Sequence, residues 1–357
     1  MAEFTEVVIV INPGSTSTKF ALWKRTGGIK EITVRHQAEL LAPRAVEQFE
    51  YRRQLIDAEI EPAIEGLKVV GVVGRGGLLK PLKGGTYLVN DSMLNYLKSP
   101  ECGNHASNLG ALLADYFAHK YNVSAYIVDP VVVDEFIDVA RISGIKWIER
   151  KSRSHALNIK AVVRRAAKEI GKPVDQTRFV VAHLGGGSSI VAVDGGRLID
   201  ANDALLGMGP YSPERAGALP IGPLVEKCFS GTITKQELLA ELSRKGGLTS
   251  YCGTSDLREV LNRVHHGDPV AEMALRGMIY QDVKEIGAMG AVLSGKLDGI
   301  ILTGGQVHND EIVDMIRSHI AFLGRVIVYP GEGELEALAE GAFLVIDGNE
   351  QAQEYRF

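Results

Sequence analysis

The sequence predicts an α/β protein made of two similarly folded domains with a cleft between them. Three observations carry that expectation. Two Gly/Ser-rich hairpins of the same pattern lie roughly half a chain apart, at residues 6–23 and 179–193. Short apolar runs alternate with helical periods along the chain, the signature of α/β folds. The length, 357 residues, suffices for two domains of ordinary size.

The central hairpin organises the chain. Its first apolar run breaks at His183 and Leu184; Gly185, Gly186 and Gly187 follow, then two serines and a second apolar run with β-branched residues. That reads as strand, tight turn, strand, because glycine makes such a turn without steric cost. Glycines also let bare backbone N–H groups approach a ligand, and concave N–H clusters suit phosphate. The N-terminal copy turns at Asn12, Pro13 and Gly14, and Ser15, Ser17 and Lys19 line its exit. One such hairpin is weak evidence. Two at matching places indicate a duplicated domain with two phosphate-facing turns.

Composition narrows the class. Hydrophobic residues make up 45% of the chain, enough for a sizeable core. A formal net charge of −5, with no long Lys/Arg run, argues against nucleic acid as partner. Cys102, Cys228 and Cys252 are scattered without metal spacing and read as reduced thiols of a cytoplasmic protein. The acidic start lacks the basic region of a signal peptide, and no apolar run reaches membrane-spanning length.

Between the hairpins, residues 29–38 read as a strand and 43–60 as a charged surface helix. The buried run 69–73 leads into Gly74, Arg75, Gly76 and Gly77, an arginine among glycines at a strand end. Its planar fork suits carboxylate or phosphate, although a solvated loop charge reads equally well. His105 and Asn108 open a helix that ends at Asn122, and Asp129 follows the strand 125–128. Ligands of α/β sheets gather beyond the carboxyl ends of strands. A basic stretch at 141–153 reads as a crossover, and Ser154 as the cap of a helix running to Gly171. The boundary is therefore expected near residue 150, with one domain at 1–150 plus a returning helix at 335–357 and the other at 151–334.

Beyond the central hairpin, residues 207–220 carry Arg215 in a stretch too rich in Gly and Pro for a regular element. Long irregular loops in compact domains are usually functional. Asp256 and Glu259 have capping-box spacing at the start of a helix through Leu257 and Arg258. Pro269 opens the longest helix, to about Leu293. The strand 297–303 ends in Gly304, Gly305 and Gln306, another backbone approach for a nucleotide. No Walker A sequence occurs, and no GxGxxG follows a strand.

These pieces together resemble the acetate kinase family, within the group of acetate and sugar kinases, heat-shock chaperones and actin. INPGSTSTK, GRGGLL, HASNLGA, VDPVVVDE, VAHLGGGSSI, SPERAG, GTSDLREV and LTGG look most like its butyrate kinase subfamily. The resemblance implies the actin-like ATPase (ribonuclease H-like) fold, ATP and Mg2+ as cofactors, and in-line phosphoryl transfer to a small carboxylate, giving an acyl phosphate. It also implies a homodimer or higher homo-oligomer. By motif, Asn12 and Glu334 resemble the magnesium-associated groups, with Glu332 an alternative to Glu334. Arg75 and Arg215 resemble the arginines flanking the transferred phosphoryl, His183 the histidine that stabilises it, His105 a second active-site histidine, and Asp129 the catalytic carboxylate. Residues 183–187, 256–258 and 304–308 resemble the ATP-binding segments. Two departures stand out: acetate kinases usually read HLGNG where this chain has HLGGG, and NEEL where it has GELE.

The chemistry needs this set. A carboxylate is already ionised, so the difficulty is bringing one anion to another, and cations answer it. Asp129 is then expected to orient rather than to take a proton. Gly77, Asn104 and Ala182 are expected to line the acid pocket. Acetate kinases carry bulky residues at the positions of Gly77 and Ala182, so their small size predicts room for a four- or five-carbon acid. An acetate or propionate kinase is the alternative enzyme, and a nucleotide-driven binding module on the same fold the alternative of another class.

Overall fold

The computed structural model describes residues 4–357, and the chain divides into two units. The first takes the chain to Val133, with Ala156–Asn158 and Gly333–Phe357; the second takes Asp134–His155 and Ile159–Glu332.

In the first unit, β1 (Thr5–Pro13) pairs antiparallel with β2 (Ser17–Lys24), which pairs with β3 (Gly27–Arg35). The apolar run of β1 is buried on both faces, as suits a central strand. After α1 (Phe49–Ile60), β4 (Leu67–Arg75) lies parallel to β1 on its other side. The helix expected from residue 43 starts at Phe49, after a 3₁₀ turn at Ala45–Gln48. Then come β5 (Thr86–Leu88), α2 (Asp91–Lys98), α3 (Asn108–Tyr121) and β6 (Ala125–Val128). Helix α3 lies so close to β4 that a methyl on Gly74 or Gly110 would overlap the other element's backbone. Ile9, Ile11, Phe20 and Leu22 of the sheet meet Ile56, Leu109, Leu113 and Phe117 of the helices in one core.

The second unit opens with the short α4 (Asp138–Arg141), and α5 (Ala156–Glu169) has its first three residues assigned to the first unit. Strands β7 (Arg178–Leu184), β8 (Ser188–Asp194) and β9 (Arg197–Ala201) form an antiparallel meander. Five helices follow: α6 (Ile221–Phe229), α7 (Lys235–Arg244), α8 (Gly247–Cys252), α9 (Leu257–His265) and α10 (Pro269–Val292). Strand β10 (Gly299–Gly304) runs parallel to β7, and β11 (Val326–Pro330) parallel to β10, with α11 (Asp310–Ile320) connecting them. Helices α8 to α11 cover one face of this sheet.

The chain then returns to the first unit. Helix α12 (Glu334–Ile346) covers the face of the sheet opposite α3, with Gly341 against Val128 and Gly71 against Ile346. Strand β12 (Gln353–Glu354) adds to β5. The strand orders are β12-β5-β6-β4-β1-β2-β3 and β11-β10-β7-β8-β9. Read outward from each hairpin, β3-β2-β1-β4-β6 and β9-β8-β7-β10-β11 are the same arrangement with the same strand directions. The two Gly/Ser hairpins occupy equivalent places in separate sheets. No helix among the described residues is long and apolar enough to cross a membrane.

Candidate active site

In the first unit, parallel pairing of β1 and β4 sets Ile11 beside Gly74, so Asn12 and Arg75 leave the sheet at the same end. Helix α12 begins there too. The Arg75 guanidinium lies 3.3 Å from Asn12 Oδ1 and 3.1 Å from Glu334 Oε1, and Asn12 Nδ2 donates to Glu334 Oε2 at 2.6 Å. Three residues more than 60 positions apart in sequence thus form one closed cluster. It takes in Glu334; Glu332 lies in the second unit, 3.8 Å from His183 Nε2.

His105 is exposed at the surface of its loop, yet partial desolvation of the ring first, then the nearby Arg75 charge, push its pKa down. The Ser107 amide donates to its Nδ1 at 3.2 Å, which leaves the ring proton on Nε2. Asp129 ends β6 with φ of 39°, a left-handed conformation that side chains rarely adopt. Its amide donates to Gly85 O, and its Oδ1 accepts from the Gly85 amide at 2.7 Å. One carboxylate oxygen is therefore fixed from behind. In the first hairpin the Gly14 amide donates to Ser17 O at 2.7 Å, with Ser15 and Lys19 exposed and Ser17 half-buried.

The expected pocket residues do other work. A Cβ on Gly77 would come within 2.6 Å of Asn108 Oδ1 and 2.9 Å of Leu97 Cδ2, so the space beside it is already filled. Asn104 accepts from the Ala45 amide and donates to Pro43 O, tying down a loop. Ala182 sits with Val180 and Leu184 in the core under α8–α11, on the strand face opposite His183. The strand thus keeps its alternation at Ala182, and Gly77 packs closely on Asn108 and Leu97.

In the second unit, His183 is buried at the end of β7, and its ring stacks on that of His155, with centroids 3.8 Å apart and planes within 9°. His155 Nδ1 lies 2.7 Å from Ser189 Oγ. Sequence reasoning missed His155, which lies at the start of the stretch read as a helix capped by Ser154. What brings it to His183 is a parallel bridge between Arg153 and Asp203, a long-range pairing with no local signature. The turn carbonyls are tied down: Gln306 Nε2 donates to Gly185 O, Ser212 Oγ to Gly186 O, and the Gly185 amide to Gly187 O. The Arg215 guanidinium donates to Ala204 O and rests on Gly187, where any side chain would collide with it. Burial pushes the Arg215 pKa down, while Glu214 and Asp203 push it up. Gly304, with φ of 97°, packs on the Leu184 backbone, so residues 183–187 and 304–306 come together. Gly305 opens a 3₁₀ turn there.

Asp256 and Arg258 pair with each other on the surface. Asp256 caps α9 through the Arg258 amide, and the Arg258 side chain holds its carboxyl at about 2. The expected Glu259 partner is replaced in this role by Arg258. Leu257 packs against the helical core.

Among the described residues, no group of three or more His, Cys, Asp or Glu side chains could enclose a metal ion. Magnesium keeps waters and phosphate oxygens and takes one or two protein carboxylates. Glu334 and Asn12 offer one carboxylate and one carboxamide side by side.

The repeated sheet is that of the actin-like ATPase fold. The chain belongs to the acetokinase family, whose profile matches residues 144–337. Solved structures of similar fold include the acetate kinase of Porphyromonas gingivalis, 18% identical, with a TM-score of 0.74 over 95% of this chain and 100% of that one. A propionate kinase from Francisella tularensis is 21% identical, with a TM-score of 0.71 over 94% and 98%. The acetate kinase of Entamoeba histolytica is 17% identical, with a TM-score of 0.73 over 95% and 99%.

Proposed function

We propose that this kinase transfers the γ-phosphoryl group of ATP directly to a short-chain carboxylate, with butyrate as the preferred acid. The Arg75–Asn12–Glu334 cluster beside His105 carries the reading. It joins a cation, a carboxylate with a carboxamide, and a neutral imidazole donor at the carboxyl ends of parallel strands. The acid arrives ionised and needs no general base. Arg75 lowers the repulsion between the incoming carboxylate and the phosphoryl group, and His105 offers Nε2–H to an oxygen. Glu334 and Asn12 would hold Mg2+, which supplies further charge neutralisation when bound. Asp129, held through Gly85, orients rather than accepts a proton. In the second unit, residues 183–187 and 304–306 take the nucleotide, with Arg215 over the glycine turn and His183 presented beside it.

The preference for butyrate rests on the motif resemblance, with the small residues Gly77 and Ala182 as its proposed determinants. The test is a hydroxylamine trap for acyl phosphate across acetate, propionate, butyrate and valerate. A maximum at butyrate is expected. A maximum at acetate or propionate shifts the acid assignment, and no acyl phosphate with any acid would leave a nucleotide-driven binding module.

The same reading includes a homo-oligomer. Ile221, Val225 and Phe229 repeat at helical spacing along α6 and are exposed, with Phe229 at 86%. A second copy of the chain suits that face. Phe229→Glu should lower the oligomer order in sedimentation, and an unchanged distribution would remove α6 from the interface.

A further inference from the structure

Arg52 projects from α1 and is 1% exposed, the largest fully buried side chain of the protein's described residues. Its Nη1 donates to Gly14 O at 2.8 Å, Thr18 Oγ1 at 2.9 Å and Ser17 O at 3.3 Å. Its Nε and Nη2 donate to Gln48 Oε1 at 3.1 and 2.7 Å. Every one of these acceptors is neutral. Burial lowers the Arg52 pKa to about 10, with Tyr51 acting the other way, so the guanidinium stays charged at neutral pH. The other titratable group here is His36, whose Nε2 lies 2.8 Å from Thr18 Oγ1 and whose ring meets Tyr51 edge-on. Burial first, then Arg52, push His36 down to about 4, so it adds no second charge.

A buried cation without a counter-ion is costly, and a neutral side chain could brace two carbonyls at less expense. The charge calls for a reason. It lies directly beneath the β1–β2 turn, bonded to the carbonyls of Gly14 and Ser17, while Ser15 and Thr16 face solvent above. We propose that Arg52 is a positioning residue whose missing counter-ion is a phosphate group seated on the outer side of the β1–β2 turn. The guanidinium braces the turn from within, and its field reaches the anion through one thickness of backbone. This rests on the kinase reading above, with the first Gly/Ser hairpin as the phosphate-facing turn its sequence suggests.

The test keeps the brace and cancels the charge. Gln48→Glu sets a carboxylate where Gln48 Oε1 already accepts two of the Arg52 bonds. Gln48→Met is the uncharged control for loss of the Gln48–Ala42 bond and of the two Arg52 bonds to Oε1. Gln48→Glu should raise KM for MgATP by roughly three- to tenfold, the scale of a partly screened charge pair, and leave KM for the acid within about twofold. It should also shrink the thermal stabilisation given by inorganic phosphate, and Gln48→Met should do neither. An unchanged KM for MgATP and an unchanged phosphate shift in Gln48→Glu would overturn the inference. Should that variant fail to fold, Arg52→Lys against Arg52→Gln decides: equal KM for MgATP overturns it, and rescue by lysine supports it. Absence of acyl phosphate in the unaltered protein would instead sink the kinase reading, and the phosphate-dependent shift would still test Arg52.

Discussion

Arg75 is held by two partners that also hold each other, so its removal leaves Asn12 and Glu334 bonded and the fold intact. Arg75→Ala should lower kcat by a factor of order 10³, as for other lost transition-state cations in phosphoryl transfer, with little change in nucleotide binding. Turnover and ATP affinity measured on the same folded variant check this; retained turnover would make Arg75 a structural charge. Asp282 on α10 poses the opposite problem. It is fully buried, and neither oxygen has a hydrogen-bond partner among the described residues. Burial first, then Glu285, raise its pKa well above the carboxylate range. The folded state therefore holds a proton that the unfolded chain releases. The resulting stability is full below the unfolded pKa of about 3.9 and is lost as pH rises towards the folded value, by at most about 1.4 kcal/mol per pH unit. Asp282→Asn removes that slope. Its stability relative to the unaltered protein, read by chemical denaturation, should rise steadily from pH 5 to pH 8. A constant difference across that range would mean that the carboxyl is not held protonated.

Between elements, packing distance decides more than chemistry. The loop after β4 is glycine-rich where α3 crosses it almost in backbone contact. Gly77→Val should therefore destabilise the protein by about 1–3 kcal/mol, the usual cost of overpacking, and depress butyrate turnover more than acetate turnover. Equal loss of both activities in a folded Gly77→Val protein would remove Gly77 from the acid site. This is also where the sequence is hardest to read. The hairpins, their strands and α10 are legible, because Gly/Ser turns between β-branched runs and a proline at a helix start act locally. The cluster of Asn12, Arg75 and Glu334 is legible as residue types, each in a recognisable motif. Its closure comes from parallel register and is not. Helices α6 and α7 bury no residue, so the apolar period they carry in the sequence does not point to the core. A glycine kept for a ligand and one kept for a neighbouring helix look the same until the neighbour is in place, as at Gly77.

At the scale of the whole molecule, the first unit is built from both ends of the chain. Arg25, just after β2, donates to Asp347 just beyond α12, and Tyr355 after β12 is 1% exposed. The Tyr355 carbonyl accepts from Asn90, and that of Phe357 from Ser92. Deleting residues 348–357 should expose β5 as a sheet edge and lower the thermal midpoint by several degrees, with the loss of protection on hydrogen exchange confined to the first unit. Equal loss in both units would show that the two cores melt as one. This arrangement also gives the protein a direction in time. A ribosome releases the whole of the second unit's sequence before it releases α12, so β1, β4 and β6, although made first, wait with one face uncovered for the last 25 residues. The nascent chain thus carries its oldest strands as its stickiest ones, and stalled chains ending near residue 332 should resist protease in the second unit while the first is still cleaved.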